Sequence, residues 1–519
     1  MNVLLTICRI LVGSLFIVSG LIKVNDVIGF GYKLEEYFAE SALNFPAMVP
    51  YVVPIAIFIV VGEVLLGVAL LLGAWPKLTT GLILFMTVFF LWLTNYTASC
   101  IEAREAFKPT AEITEFTATC VETCGCFGDA IPLKPRQSFW KDVILLLFVI
   151  PVTIGAWMKK FKLNTWKEDL VIIIPSTLMV AAFSIKMLEW NFPIWFTIGA
   201  NGIALLVKKL TNGKQWMMAV AVLAVCSYLQ CYTYQHLPLK DYRAYAIGND
   251  LKAKMKTSQD LLNESGLAVF VEEKVMPLLG DTINFTVNTS KPEAVAMLVK
   301  FIDENKTVVP ALDALKQEIA ANKTNWEQQI TAAQPPKTLN IYTMKNSVSG
   351  EIKVMDSDEY LLQKIWQDTT WVINKDLTYK KQVSEGYESK IKDFDPTTQE
   401  GESMKEALMT EPRMFWFVSK NLATAEEEYM AAISAFSKAA QADGARFYGL
   451  SPSSGEEVEQ YRFQHQLPFD FLIADGIELK IIIRANPGIV YIENGVVVNM
   501  WADNDLPDYS AAKQNNFRP

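Results

Sequence analysis

Four cysteines, Cys100, Cys120, Cys124 and Cys126, fall within one stretch between two long apolar runs, and thiols there are the side chains best suited to chemistry. The core of the stretch reads Cys124-Gly125-Cys126-Phe127-Gly128-Asp129. A Cys-X-Cys disulfide closes a very small, strained ring, and strain raises its reduction potential. The intervening glycine relieves the backbone. Glu122 and Asp129 flank the pair, and nearby carboxylates raise a thiol pKa and slow its attack as a nucleophile. The pair therefore reads as an acceptor disulfide, with Lys134, Arg136 and Lys141 close enough in sequence to offset the carboxylates if folded back. Cys100 and Cys120 are placed to exchange with it. All four are expected to be oxidised, as Cys124–Cys126 or as one bond from each of these to Cys100 and Cys120. Two structural disulfides pinning the loop account for the same residues. So does a four-thiolate zinc site, which an oxidising compartment disfavours. Of the seven cysteines, Cys8, Cys226 and Cys231 lie in apolar runs and read as small packing residues.

Three charged groups interrupt or border apolar runs: Arg9, Lys23 and Glu63. Such groups are costly in lipid and face a bundle interior and a partner. Arg9 is expected to rise toward Glu63 as an intramembrane pair, structural or functional, and Lys23 to snorkel to the outer interface.

The elements that must position these residues are membrane helices. The chain has 519 residues, 51% hydrophobic, with net charge -9. The acidic balance argues against nucleic acid as a partner, and only two histidines argue against a His-based metal centre. Seven apolar runs approach the roughly 20 residues a bilayer crossing needs: about 3–23, 50–74, 78–98, 139–158, 168–187, 190–208 and 215–236. The first lacks a basic n-region and a cleavage site, so it reads as a retained helix. The fifth and sixth are short, and a re-entrant pair is the alternative for them. Lys77, Lys159, Lys160, Lys162, Lys167, Lys208, Lys209 and Lys214 mark one side, and the acidic loops after the first and third runs mark the other. By the positive-inside rule the N-terminus is cytoplasmic and everything after Leu237 is periplasmic. The expected fold is thus a polytopic α-helical membrane bundle of about seven helices in a lipid bilayer, followed by a periplasmic α+β region.

Within that region, 256–334 shows helical periodicity, Pro335-Pro336 ends it, and IYTMKNSVSGEIKVM reads as a hairpin. From Glu411 the pattern reads strand, helix, strand, helix, strand, strand, with a last hairpin at Glu493-Asn494-Gly495.

RILVGSLFIVSGLIKVNDVIGFGYKLEEYF, GEVLLGVALLLGAW and CGCFGDAIPLKPRQSFWKDVILLL resemble the DoxX and MauE-like membrane family over about residues 1–158. HLPLKDYRAYAIG, GYESKIKDFD and LKIIIRANPGIVYIENGVVVNMWADNDLP are similar to a longer Bacteroidetes-type form. The resemblance implies a DoxX-like four-helix core in 1–158, three further helices in 159–236, a periplasmic region in 237–400 with an insertion at 256–334, and a thioredoxin-like α/β domain in 401–519. It places a cis-proline at Pro487 and the redox motif at Ser419 to Ala425, where no cysteine stands. Methylamine-utilisation members of that family assist disulfide formation in a partner enzyme, and other members are linked to quinone. The implied function is a periplasmic thiol–disulfide redox system in the bacterial inner membrane, with a proton or quinone site at Arg9 and Glu63. The rival is a non-enzymatic scaffold that presents the cysteine-free domain to an envelope protein partner.

Overall fold

The computed structural model describes residues 3–107, 118–123, 125–280 and 283–518. It forms two units, one from the first 248 residues with Asp395–Pro519, the other essentially Asn249–Phe394.

The first unit opens with α1 (Val3–Asn25), the short α2 (Val27–Phe38), α3 (Val52–Leu72), α4 (Pro76–Ala106), α5 (Pro135–Trp157), α6 (Trp166–Phe183), α7 (Phe192–Leu210) and α8 (Gln215–Gln235). Six stretches are long and apolar enough to cross a membrane: Val3–Asn25, Pro46–Leu72, Pro76–Ala106, Pro135–Trp157, Trp166–Leu188 and Gln215–Gln235. Apolar side chains such as Phe58, Phe85, Leu147 and Trp195 stand exposed on the outer faces, as a bilayer environment requires. α1 is the hub, 72% buried over its span against 22–33% for α4, α5 and α6.

α7, the sixth run in the sequence, carries Asn201, Lys208 and Lys209 and falls short on composition. It nevertheless runs back along the whole of α6. Lys208 Nζ donates to Asp169 Oδ2 at 2.5 Å, in the first turn of α6. A re-entrant pair would bring the same ends together; what favours a full crossing is the length of the α6 stretch, an apolar run of 23 residues from Trp166 to Leu188. α8 then runs parallel to α1: Thr233 Oγ1 donates to Val24 O at 2.7 Å. At the far end Trp75 N, between α3 and α4, donates to Gln215 Oε1 at 2.6 Å. α5 starts at Pro135, a turn before the apolar run begins at about 139. Pro135 takes its first position, where a missing N–H costs nothing, and Lys134 N donates to Gln137 Oε1.

The second unit is a helical cluster with a small sheet. α9 (Ala294–Asn305) and α10 (Lys316–Ala333) pack with shorter helices around Leu267, Phe270, Leu298, Phe301, Trp326 and Ile330. The strands β1 (Lys337–Asn346), β2 (Ile352–Asp356) and β3 (Trp371–Ser384) form an antiparallel sheet in the order β2-β1-β3.

The first unit resumes with β4 (Met414–Val418), α11 (Met430–Ala442), β5 (Arg446–Ser451), α12 (Glu456–His465), β6 (Asp470–Ile473), α13 (Gly476–Ile482), β7 (Gly488–Glu493) and β8 (Val496–Ala502). The sheet order is β6-β5-β4-β7-β8, with β4, β5 and β6 parallel and β7 and β8 antiparallel. β4 is wholly buried, and its Phe415 and Phe417 centre an aromatic core with Phe436, Phe447, Phe469 and Tyr491. The sequence pattern omits β6 and α13. Leu479 to Ile483, four apolar residues with Lys480 among them, is too short to tell helix from strand by periodicity. Asp475 decides it, accepting from Ile477 N (2.8 Å) and Glu478 N (3.0 Å) as an N-cap. The Asn486–Pro487 bond is cis.

Candidate functional site

The loop between α4 and α5 is folded onto one end of the bundle. Gly125 (φ 67°) and Gly128 (φ 51°) both sit in the left-handed region that glycine alone enters without strain. Gly128 N donates to Gly125 O at 3.2 Å, closing a turn that turns Cys126 and Phe127 inward. Cys126, 7% exposed, packs with Val18, Ile22, Phe127, Val180 and Trp190. Cys124 lies outside the described residues. Cys100 and Cys120 are joined by a disulfide, so bonds from these two to Cys124 and Cys126 are not the arrangement found. Two thiols bonded to each other also do not serve a four-thiolate zinc site.

Near Cys126 lie a buried and a half-buried ion pair. Lys23 Nζ meets Glu63 Oε1 at 2.7 Å and Oε2 at 2.8 Å, with side chains 3% and 4% exposed. Lys141 Nζ meets Asp142 Oδ1 at 2.7 Å, and Thr94 Oγ1 donates to Asp142 Oδ2. Ser19 Oγ accepts from Lys23 Nζ (3.0 Å) and lies within donating distance of both Glu63 Oε2 (3.1 Å) and the Cys126 carbonyl (3.3 Å). Lys23, Glu63, Ser19, Cys126, Lys141 and Asp142 share the lining of a cavity of about 30 Å³. That volume takes a water or two but not a quinone ring.

The expected Arg9–Glu63 pair is therefore not formed, and Lys23 does not snorkel. The cause is the register of α1 on α3, invisible in either sequence alone. Gly20 lies against Val64 and Gly13 against Gly67 and Leu71, which puts Lys23 beside Glu63 and Arg9 two turns further along α3. Arg9 donates instead to Leu70 O (3.2 and 3.0 Å), Leu71 O (3.0 Å) and Asn164 Oδ1 (2.9 Å), and lies over Phe161. Asn164 in turn donates to Asp169.

A third layer comes from the C-terminal sheet domain. Arg484, three residues before Pro487, donates from Nε to both Asp26 carboxylate oxygens (3.0 and 2.9 Å) and from Nη2 to Asp129 Oδ2 (3.1 Å). Asp26 caps α2 at the same time, accepting from Gly29 N at 2.8 Å. Lys480 pairs with Glu35 at 3.2 Å, and Lys420 donates to the Tyr32 hydroxyl. The segment 236–248 straps the far side. Arg243 donates to Ile481 O and Ile482 O, both at 3.2 Å, at the C-terminal end of α13, and Tyr245 donates to Glu478 at 2.5 Å. Burial opposes the Arg484 charge, but Asp26 and Asp129 outweigh it and hold the guanidinium above its ordinary range. Burial pushes the Asp129 carboxyl up, against the pull of Arg484. Burial, then Lys480 and Arg484, push the Lys420 ammonium down to about 8. The Ser419 to Ala425 segment faces the cis-proline loop: Ser419 Oγ donates to Asn486 Oδ1 at 2.9 Å, and Asn486 Nδ2 to Asn421 O at 3.0 Å.

Sequence reasoning singled out Cys126, Asp129 and Glu63 but missed Asp26, Tyr32, Lys420 and Arg484. Their one shared signal is weak: Arg484 and Lys420 are the cations nearest the cis-proline and the cysteine-free motif.

Residues 1–101 match the family model described as methylamine utilisation protein MauE. Six helices among the described residues are able to cross a membrane, so the chain is a multi-pass membrane protein whose first 101 residues are similar to MauE. No curated protein and no solved structure matches.

Proposed function

We propose that the protein is a thiol–disulfide exchange protein at the periplasmic face of a bacterial inner membrane, with Cys124 and Cys126 as the exchanging pair and an envelope dithiol protein as the electron donor. The observation that carries this reading is that buried Cys126 lines one small cavity with the buried Lys23–Glu63 pair, and that Ser19, bonded to Lys23, reaches both Glu63 and the Cys126 backbone carbonyl. A buried ion pair is a weak source of stability, and charged groups at membrane depth mark function more often than packing. Cys100–Cys120 acts as a staple of the loop in this reading. No step passes through a quinone, which does not fit beside Cys126. The mixed sheet and cis-proline support a thioredoxin-like C-terminal domain. Its cis-proline side is turned onto the membrane half through Lys420, Lys480 and Arg484. That orientation suits a clamp on the cysteine loop better than a scaffold offering the domain to a partner. The lysine-bearing end of the bundle, with Lys208, is cytoplasmic in this reading, and the loop end periplasmic.

The test is capture of mixed disulfides in cells by Cys124→Ser and Cys126→Ser proteins. One of the two should trap a discrete envelope protein that the Cys100→Ser/Cys120→Ser protein does not. Cys124 and Cys126 recovered as free thiols from wild-type protein isolated without reductant, with nothing trapped, would leave the scaffold reading.

A further inference from the structure

The geometry points to a lipid site: the groove between the first turns of α4 and the last turns of α5 holds an acyl chain of an anionic phospholipid, whose phosphate meets Lys77, Lys159 and Lys160. The site stands apart from the exchange reading and lies at the end of the bundle opposite the cysteine loop. The groove has a volume of about 360 Å³ and is lined by Gly81, Leu84, Thr153, Ile154, Trp157 and Met158. That size lies within the range of about 300–1,000 Å³ usual for ligand pockets. Gly81 leaves it open, since a Cβ added there would meet nothing within 4 Å. The one hydroxyl in the lining is already used: Thr153 Oγ1 donates to Val149 O at 2.9 Å and lies 3.4 Å from Thr80 O. The second contact also fixes the end of α5 beside the start of α4.

This end of the bundle carries the marks of a membrane interface. Trp75 before α4, Trp157 at the end of α5, Trp166 at the start of α6 and Trp216 at the start of α8 are all exposed, and exposed tryptophans gather at the level of the lipid headgroups. The cations stand at the same level. Lys77 lies one turn before Gly81, with its Nζ 5.4 Å from the centre of the Trp157 ring. Lys159 and Lys160 follow Met158 directly, and all three lysines are exposed. Among the described residues none of the three has a carboxylate partner. The acids nearest in sequence are engaged elsewhere, Asp169 by Lys208 and Glu168 by Thr165. An apolar groove with unneutralised lysines above it complements a chain and a phosphate carried on one molecule. Basic pockets between membrane helices bind anionic headgroups on the same principle. A helix from a second copy of the chain fits less well. Close helix packing in a membrane uses small residues four apart, but the residues four before and four after Gly81 are Lys77 and Phe85, and Phe85 is 68% exposed. A flexible chain bends into so short a notch where a helix backbone is held off.

The experiment is native mass spectrometry of the full chain, delipidated in detergent and titrated with phosphatidylglycerol or with phosphatidylcholine of the same chains. Wild type should bind phosphatidylglycerol about ten-fold more tightly than phosphatidylcholine. Gly81→Leu fills the groove without a clash and with a better helix former, and should weaken phosphatidylglycerol about five-fold. Lys77→Gln/Lys160→Gln should lose the preference between the two lipids and still bind both. Lys209→Gln, at the same end on α7 and outside the groove, should behave as wild type. Excess inorganic phosphate should leave the lipid in place. Equal binding of phosphatidylglycerol by wild type and Gly81→Leu would overturn the site, and so would its displacement by inorganic phosphate. A dimer that Gly81→Leu dissociates would also overturn it, making the groove an interface between copies. Each of these results leaves the thiol-exchange reading untouched.

Discussion

Arg484 and Asp129 lie 355 residues apart in the chain and 3.1 Å apart in space, so the domain that ends the protein holds the loop that carries Cys126. Arg484 is 8% exposed and also grips Asp26. Replacing it with methionine strands two carboxylates. Because Asp26 and Asp129 keep some solvent, 21% and 49% exposed, the expected cost is about 2 kcal/mol, below the roughly 3–5 kcal/mol of a fully buried pair. Arg484→Lys should recover part of it, lacking the planar fork. Thermal unfolding of the purified protein measures both, and a midpoint unchanged in Arg484→Met would mean the clamp contributes nothing.

Lys420 gives a pH signature. Its folded value of about 8 lies below the ordinary 10.5, so between those limits the unfolded chain binds more protons and stability rises with pH. Below about 8 the penalty is fully present. Lys420→Met removes it. The variant's advantage over wild type should therefore shrink by about 2 kcal/mol between pH 7 and pH 10. Parallel unfolding curves of the two proteins at both pH values check this, and a constant difference contradicts it.

A double-mutant cycle separates the two buried cations of α1. Glu63→Leu alone leaves Lys23 unpaired and should cost about 3–5 kcal/mol, most of which Lys23→Met/Glu63→Leu restores. Arg9→Leu combined with Glu63→Leu should be additive, because the two side chains share no partner. Coupling between Arg9 and Glu63 would show that the register of α1 on α3 is wrong.

The Cys100–Cys120 bond closes a separation of 20 residues. Replacing both with serine should lower stability by about 3 kcal/mol on loop entropy. The opening rate of the loop disulfide should stay within two-fold of wild type. A large fall in that rate would return these cysteines to a shuttling role.

The membrane helices and the loop cysteines are legible in the sequence because apolar length and cysteine spacing are local properties. The cis-proline was legible through resemblance. What failed was register and docking. Arg9 and Lys23 lie on one helix on either side of the depth the sequence gives Glu63, and only the close glycine contacts at Gly13 and Gly20 decide between them. α13 was lost because four apolar residues around Lys480 fit either element, and the deciding cap, Asp475, lies outside the run. Asp26 looked like one acid among several in a loop; its role depends on Arg484, which sequence cannot bring near.

The return of α7 along α6 has a consequence for insertion. α6 and α7 form an antiparallel hairpin, so together they leave the direction of the chain unchanged: α8 leaves α7 in the same direction in which it would have left α5. Removing the whole segment between α5 and α8 would keep the C-terminal domain on the side of the cysteine loop. Removing α7 alone would reverse the direction of everything after it and part Arg484 from Asp129.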